Sequence, residues 1–184
     1  MTNNTRRHKV FVSYHHNNDQ DYRNKFEQMF SDDHDIMVSK SVQIGDIDQN
    51  LPTETIRQKI RDEYLRDSTV TVVLIGSETW KRKHVDWEIG SSIRSTEYNP
   101  RSGLLGILLP TYSNNKQNNY DPYTIPPRLH YNIKCGFAKI YNWSNDPTSV
   151  QYWIHEAFQR RNNINPDNNS YQSFANNRSG DRWS

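Results

Sequence analysis

The amino-acid sequence predicts an α/β fold: a central, mainly parallel five-stranded sheet with helices on both faces. Three observations predict it. Two runs, Val70–Ile75 (VTVVLI) and residues 104–109 (LLGILL), are continuously apolar, as strands covered on both faces should be. Such runs alternate along the chain with stretches whose apolar residues recur every three or four positions. That alternation needs right-handed crossovers, which place successive strands parallel in one sheet.

The elements follow in order. Residues 9–14 (KVFVSY) are β-branched and aromatic and end in the polar, turn-forming run 15–18, which reads as a first buried strand. Tyr22, Phe26, Met29 and Phe30 give one apolar stripe to a helix over 19–30, with Asp19 as its N-cap. A short second strand near the sheet edge is expected over 35–41, and the loop 42–50 holds Gly45, Asp46 and Asp48. Thr53 can cap a second helix over 53–66, where Ile56, Ile60 and Tyr64 share a face. Val70–Ile75 is the third strand, broken by Gly76. A helix then runs from Trp80 to about Tyr98 with Val85, Ile89 and Ile93 as its buried stripe, and Asn99-Pro100 ends it. Residues 104–109 form a fourth strand, stopped by Pro110. Residues 113–127 are a long polar connection, 137–143 a fifth strand, and 148–161 a closing helix striped by Val150, Trp153, Ile154 and Phe158.

Composition narrows the class. The 184 residues suit one α/β domain, yet only 33% are hydrophobic and the mean hydropathy is −1.05, so part of the chain should lie outside the core. Residues 1–7 and the Asn-rich 162–184 lack apolar periodicity and are expected as disordered tails flanking a domain over 8–161. A single cysteine, Cys135, excludes an internal disulfide framework and fits a reducing compartment. No apolar run approaches a membrane span and MTNNTRRHK lacks a signal-peptide core, so a cytoplasmic protein with no membrane partner is expected. A net charge of +2 makes no case for nucleic acid as a partner.

In open parallel sheets, ligands bind beyond the carboxyl ends of the strands. The loops after strands one and three, with Ser13-Tyr14-His15 and residues 76–80, should therefore frame any site. Neither a G-x-G-x-x-G nor a Gly-rich Lys-Ser/Thr loop is present, which leaves those phosphate cradles unsupported. The acidic residues of a phospho-acceptor receiver domain are missing after strands one and three. A serine hydrolase elbow is missing too, since Ile75-Gly76-Ser77-Glu78 is not G-x-S-x-G. His15 and His16 are adjacent and cannot easily converge on one metal, and no second pair stands at ligand spacing, so no metal is expected. Glu88 lies at the border of the apolar stripe of its helix: it is either a flank residue with its carboxylate in solvent or a site residue, since Trp80 and Trp87 crowd the same first half of the helix and that end points toward the expected ligand edge.

Three stretches carry a resemblance: KVFVSYHHNNDQDYR at the first strand and helix, DSTVTVVLIGSETWKRKHVDWEI around the third strand, and IPPRLHYNI before the fifth. With the element order, they make the chain similar to the TIR-like family typified by the ThsB proteins of the Thoeris antiphage defence system. The resemblance implies a flavodoxin-like, TIR-like three-layer sandwich. One departure is His84, where family members tend to carry an aromatic residue in a W-V-x-x-E-I pattern. The resemblance further implies an enzyme that cleaves the nicotinamide–ribose bond of NAD+ as its substrate, without a separate cofactor. Its ADP-ribose-derived product, often cyclic, would signal to a separate effector protein. Activity in such proteins is linked to assembly, so a homo-oligomer on activation is also implied.

The family's catalytic carboxylate falls on Glu88. Its substrate-binding loops fall on Ser13, Tyr14 and His15 and on the region of Asp46; Trp80 and His84, nearby on the helix that carries Glu88, are further substrate-binding candidates of this chain. One carboxylate suffices chemically, because nicotinamide is already cationic in NAD+ and leaves neutral. The barrier is positive charge growing on the ribose, which an ionised, partly desolvated Glu88 can stabilise. Tyr14 or Trp80 either stacks on a nucleotide ring or packs in the core or rim. Arg128 either meets phosphate or forms a structural ion pair. The alternative reading is a TIR-like interaction or nucleotide-sensing module without turnover.

Overall fold

The apolar runs become the middle of the sheet. The computed structural model describes residues 8–31, 36–39, 48, 50–113 and 120–184. Strands β1 (His8–Ser13), β2 (Ile36–Val38), β3 (Val70–Ile75), β4 (Gly103–Leu108) and β5 (Ala138–Asn142) form one sheet in the order β2-β1-β3-β4-β5. Every neighbouring pair is parallel, and every residue of β3 and β4 is buried. This is the doubly wound order in which a crevice opens between β1 and β3.

Helices α1 (His16–Met29) and α5 (Pro147–Arg160) cover one face; α2 (Thr53–Lys59), α3 (Lys83–Ser92) and α4 (Pro127–Lys134) cover the other. Side chains alternate across β1 accordingly. Val10 and Val12 pack with Phe26, Phe30 and Ile154 on the α1/α5 face. Phe11 packs with Ile56, Ile60 and Trp87 on the other. The same alternation directs Ser13 toward α3.

Several elements differ from expectation, each for a local reason. Helix α1 begins at His16, and Asp19 is not its cap: the His15 imidazole caps it by accepting from the Asn18 N–H. Asp19 instead has non-helical dihedrals inside the helix, and its carboxyl is buried against Gly76, where a Cβ would sit 2.4 Å from Oδ2. Residues 53–66 divide into α2 and a π-helical turn over Ile60–Tyr64. Trp80 sits in a short 3₁₀ turn, Thr79–Lys81, ahead of α3. Helix α3 stops at Ser92, not near Tyr98. The Ser91 and Ser92 hydroxyls bond back to the Trp87 and Glu88 carbonyls, and Asp62 accepts from both Thr96 and Asn99 in the turn beyond. Helix α4 was not foreseen; Pro127 at its first turn and Leu129 and Ile133 one turn apart are its sequence signals.

The largest difference is the C-terminal segment 162–184, expected as a disordered tail. It lies packed along α3 and α4. Phe174 is buried, its N–H donates to the Asp86 carboxylate, and its carbonyl accepts from Trp87 Nε1. The Arg178 N–H reaches the Lys81 carbonyl, and Trp183 Nε1 reaches the Ile125 carbonyl. Asparagines that looked like disorder signals serve as backbone clamps: Asn168 donates to the Gly90 carbonyl, and Asn177 accepts from the Lys83 N–H. Residues 1–7, expected as a flexible N-terminus, lie outside the described residues.

Candidate active site

Ser13 ends β1 at the carboxyl edge of the sheet, beside the β1/β3 crevice. On α3, His84, Glu88 and Ser92 stand four residues apart and so share one face. That face meets the sheet through polar groups. The Ser13 hydroxyl donates to the Glu88 carboxylate. Ser92 donates to the Glu88 carbonyl at 2.7 Å, which makes the Thr71 hydroxyl, 2.7 Å away, the donor to Ser92.

Glu88 is 1% exposed. Loss of hydration pushes its carboxyl up to about 8, and the Ser13 hydrogen bond offsets only part of that rise. At neutral pH the group is therefore mostly protonated in this conformation. The expectation of an ionised, partly desolvated carboxylate at the border of the stripe changes accordingly. Residues 85–92 are all buried: Val85 and Ile89 pack on the sheet, and the segment 162–184 covers Trp87 and Gly90 through Phe174 and Asn168.

His84 lies beside the carboxylate. Its Nε2 is 3.2 Å from the Tyr14 carbonyl; a carbonyl only accepts, so Nε2 carries the hydrogen and Nδ1 keeps a lone pair. Burial drives its pKa down to about 4. The His16 ring, its centroid 5.0 Å from that of His84, is held neutral by burial and by neighbouring His15. One ligand-capable atom from each of His16, His84 and Glu88 lies within 4.8 Å of the other two. His16 was missing from the sequence-derived set because only the fold brings it to α3. The four-residue spacing of His84 and Glu88 was the readable part of that signal.

The other predicted residues are placed as follows. Tyr14 is buried with Val10, Phe26 and Ile154, its hydroxyl donating to Gln20 at 2.7 Å, so its ring is a core ring in this conformation. His15 is buried and occupied as the α1 cap. Trp80 is buried and lines a separate depression with Ser77, Lys81, Thr124 and Gly180. Asp46 lies outside the described residues. Arg128 forms a fully buried ion pair with Asp86, Nε to Oδ1 2.9 Å, and also donates to the Asn168 and Tyr171 carbonyls. Of the two roles open to it, the structure shows the ion pair.

A parallel sheet in this order, with a carboxyl group buried beside its β1/β3 crevice, defines a flavodoxin-like, TIR-like α/β protein. The chain belongs to the family described as Thoeris protein ThsB, TIR-like domain, whose model matches residues 11–114. The matched span includes Ser13, His84 and Glu88. No individually curated protein matches the chain closely enough to count as a relative. Among the described residues, no helix is long and apolar enough to cross a membrane.

Proposed function

We propose that this chain cleaves the nicotinamide–ribose bond of NAD+ and releases an ADP-ribose-derived nucleotide that activates a separate effector in antiphage defence. One observation carries the reading within a Thoeris family member. Glu88, alone of the carboxyl groups on α3, is hydrogen-bonded to the end of β1 beside the crevice where doubly wound folds hold nucleotides. Ionised, Glu88 binds the ribose hydroxyls and stabilises positive charge on the sugar as neutral nicotinamide departs. Ser13 orients the carboxylate and lowers the proton affinity of an otherwise dry group. His84, neutral and anchored on the Tyr14 carbonyl, supplies a fixed wall next to it.

The conformation described is a resting one. A carboxyl group that is buried and mostly protonated at pH 7 reaches no substrate until its surroundings open. That accords with an enzyme switched on by a trigger or by assembly into a homo-oligomer. The same burial favours a second reading, a TIR-like interaction or nucleotide-sensing module in which Glu88 only ties α3 to β1. Free nicotinamide separates the two. Under the enzymatic reading, concentrated full-length chain incubated with NAD+ releases it and Glu88→Gln does not; under the second, neither does.

A further inference from the structure

We propose that His16, His84 and Glu88 form a binding site for a divalent transition-metal ion of the zinc class. Their donor atoms converge within 4.8 Å from two different elements, the start of α1 and the first two turns of α3, with both histidines half-buried and Glu88 buried. Two imidazoles and one carboxylate are a donor set for zinc-like ions. Magnesium and calcium demand oxygen donors and are disfavoured.

The second observation is the outer shell. Metal-bound histidine commonly gives its other ring N–H to a carbonyl or carboxylate, and ligating carboxylates are themselves hydrogen-bonded. Both supports are already in place: His84 Nε2–H on the Tyr14 carbonyl, and the Ser13 hydroxyl on Glu88 Oε2. They leave His84 Nδ1 as a donor, and Glu88 Oε1 becomes one when ion binding releases its proton to solvent. Zinc bonds of about 2.0–2.1 Å space tetrahedral ligands about 3.3 Å apart. The three donors, now within 4.8 Å of one another, draw in to that spacing when an ion binds. Three protein ligands leave a fourth position for water.

The site shares Glu88 with the NAD+ reading but stands without it. If that reading holds, an ion on Glu88 takes the oxygen that would meet the ribose, and zinc acts as an inhibitor.

The test uses the full-length chain without NAD+, first stripped with chelator, then titrated with Zn²⁺ by calorimetry and with Co²⁺ by visible absorption. The expected result is one ion per chain and d–d bands of low-symmetry Co²⁺, displaced by Zn²⁺ and unaffected by Mg²⁺. His16→Gln should weaken binding by about 100-fold or more, and the outer-shell change Ser13→Ala by roughly 10-fold. His155→Gln, which alters a second close histidine pair among the described residues, His8 with His155, should leave binding as in the wild type. His16 is half-buried, so its variant decides the matter even if His84→Gln fails to fold. Absence of d–d bands in the wild type, or wild-type affinity in folded His16→Gln, would overturn the site.

Discussion

Glu88 links chemistry to stability at the scale of one residue. In the fold its carboxyl holds a proton up to about pH 8, against 4.5 for the ordinary group. Between those values the unfolded chain has released the proton and the folded chain has not. Stability therefore falls as pH rises from about 4.5 to about 8 and levels off beyond. At pH 7 the difference is on the order of 3 kcal/mol. With chelator present, Glu88→Gln should unfold at a higher temperature than the wild type at pH 8 and at nearly the same temperature near pH 4. A variant less stable than the wild type at pH 8 would contradict a neutral buried carboxyl. Ser13→Ala removes the one hydrogen bond that favours the ionised form. Under the proposed activity, the acid limb of NAD+ cleavage should then move to higher pH, read from the pH dependence of kcat/KM.

At the scale of elements, α3 is held between the sheet and a cover of later chain. Val85, Ile89 and Ile93 face the sheet, as the sequence periodicity indicates. Asp86 and Trp87 look solvent-facing on the same helical wheel but are met by Arg128 and Phe174. The ion pair is a local weak point, because removing one partner leaves a buried charge alone. Asp86→Ala should cost about 3–5 kcal/mol in denaturant unfolding; a change below about 1 kcal/mol would show that Arg128 finds other compensation. The same helix shows what sequence reading captures. Continuous apolar strands and the i, i+4 stripe of α3 depend on nearest neighbours along the chain, and both were readable. The cap of α1, the early end of α3 and the pairing of His16 with His84 depend on contacts between residues far apart in sequence. Periodicity carries no trace of those.

At the scale of the whole molecule, the segment 162–184 is the part sequence composition misrepresents. Few apolar residues suggest a chain that cannot bury enough surface to order itself. Order comes instead from one buried aromatic, Phe174, and a series of Asn, Ser and backbone hydrogen bonds to α3 and α4. Phe174→Ala should destabilise the chain by about 3–5 kcal/mol in denaturant unfolding. Loss of less than about 1 kcal/mol would mean that the segment is not part of the cooperative fold. Nicotinamide release from the full-length chain at high concentration, across pH 6–9, tests the proposal that Glu88 is the carboxylate of NAD+ cleavage. Release should rise about tenfold per pH unit below pH 8 and level off above it, with Glu88→Gln lower by a factor of at least about 100. Equal release from folded Glu88→Gln and wild type would contradict it.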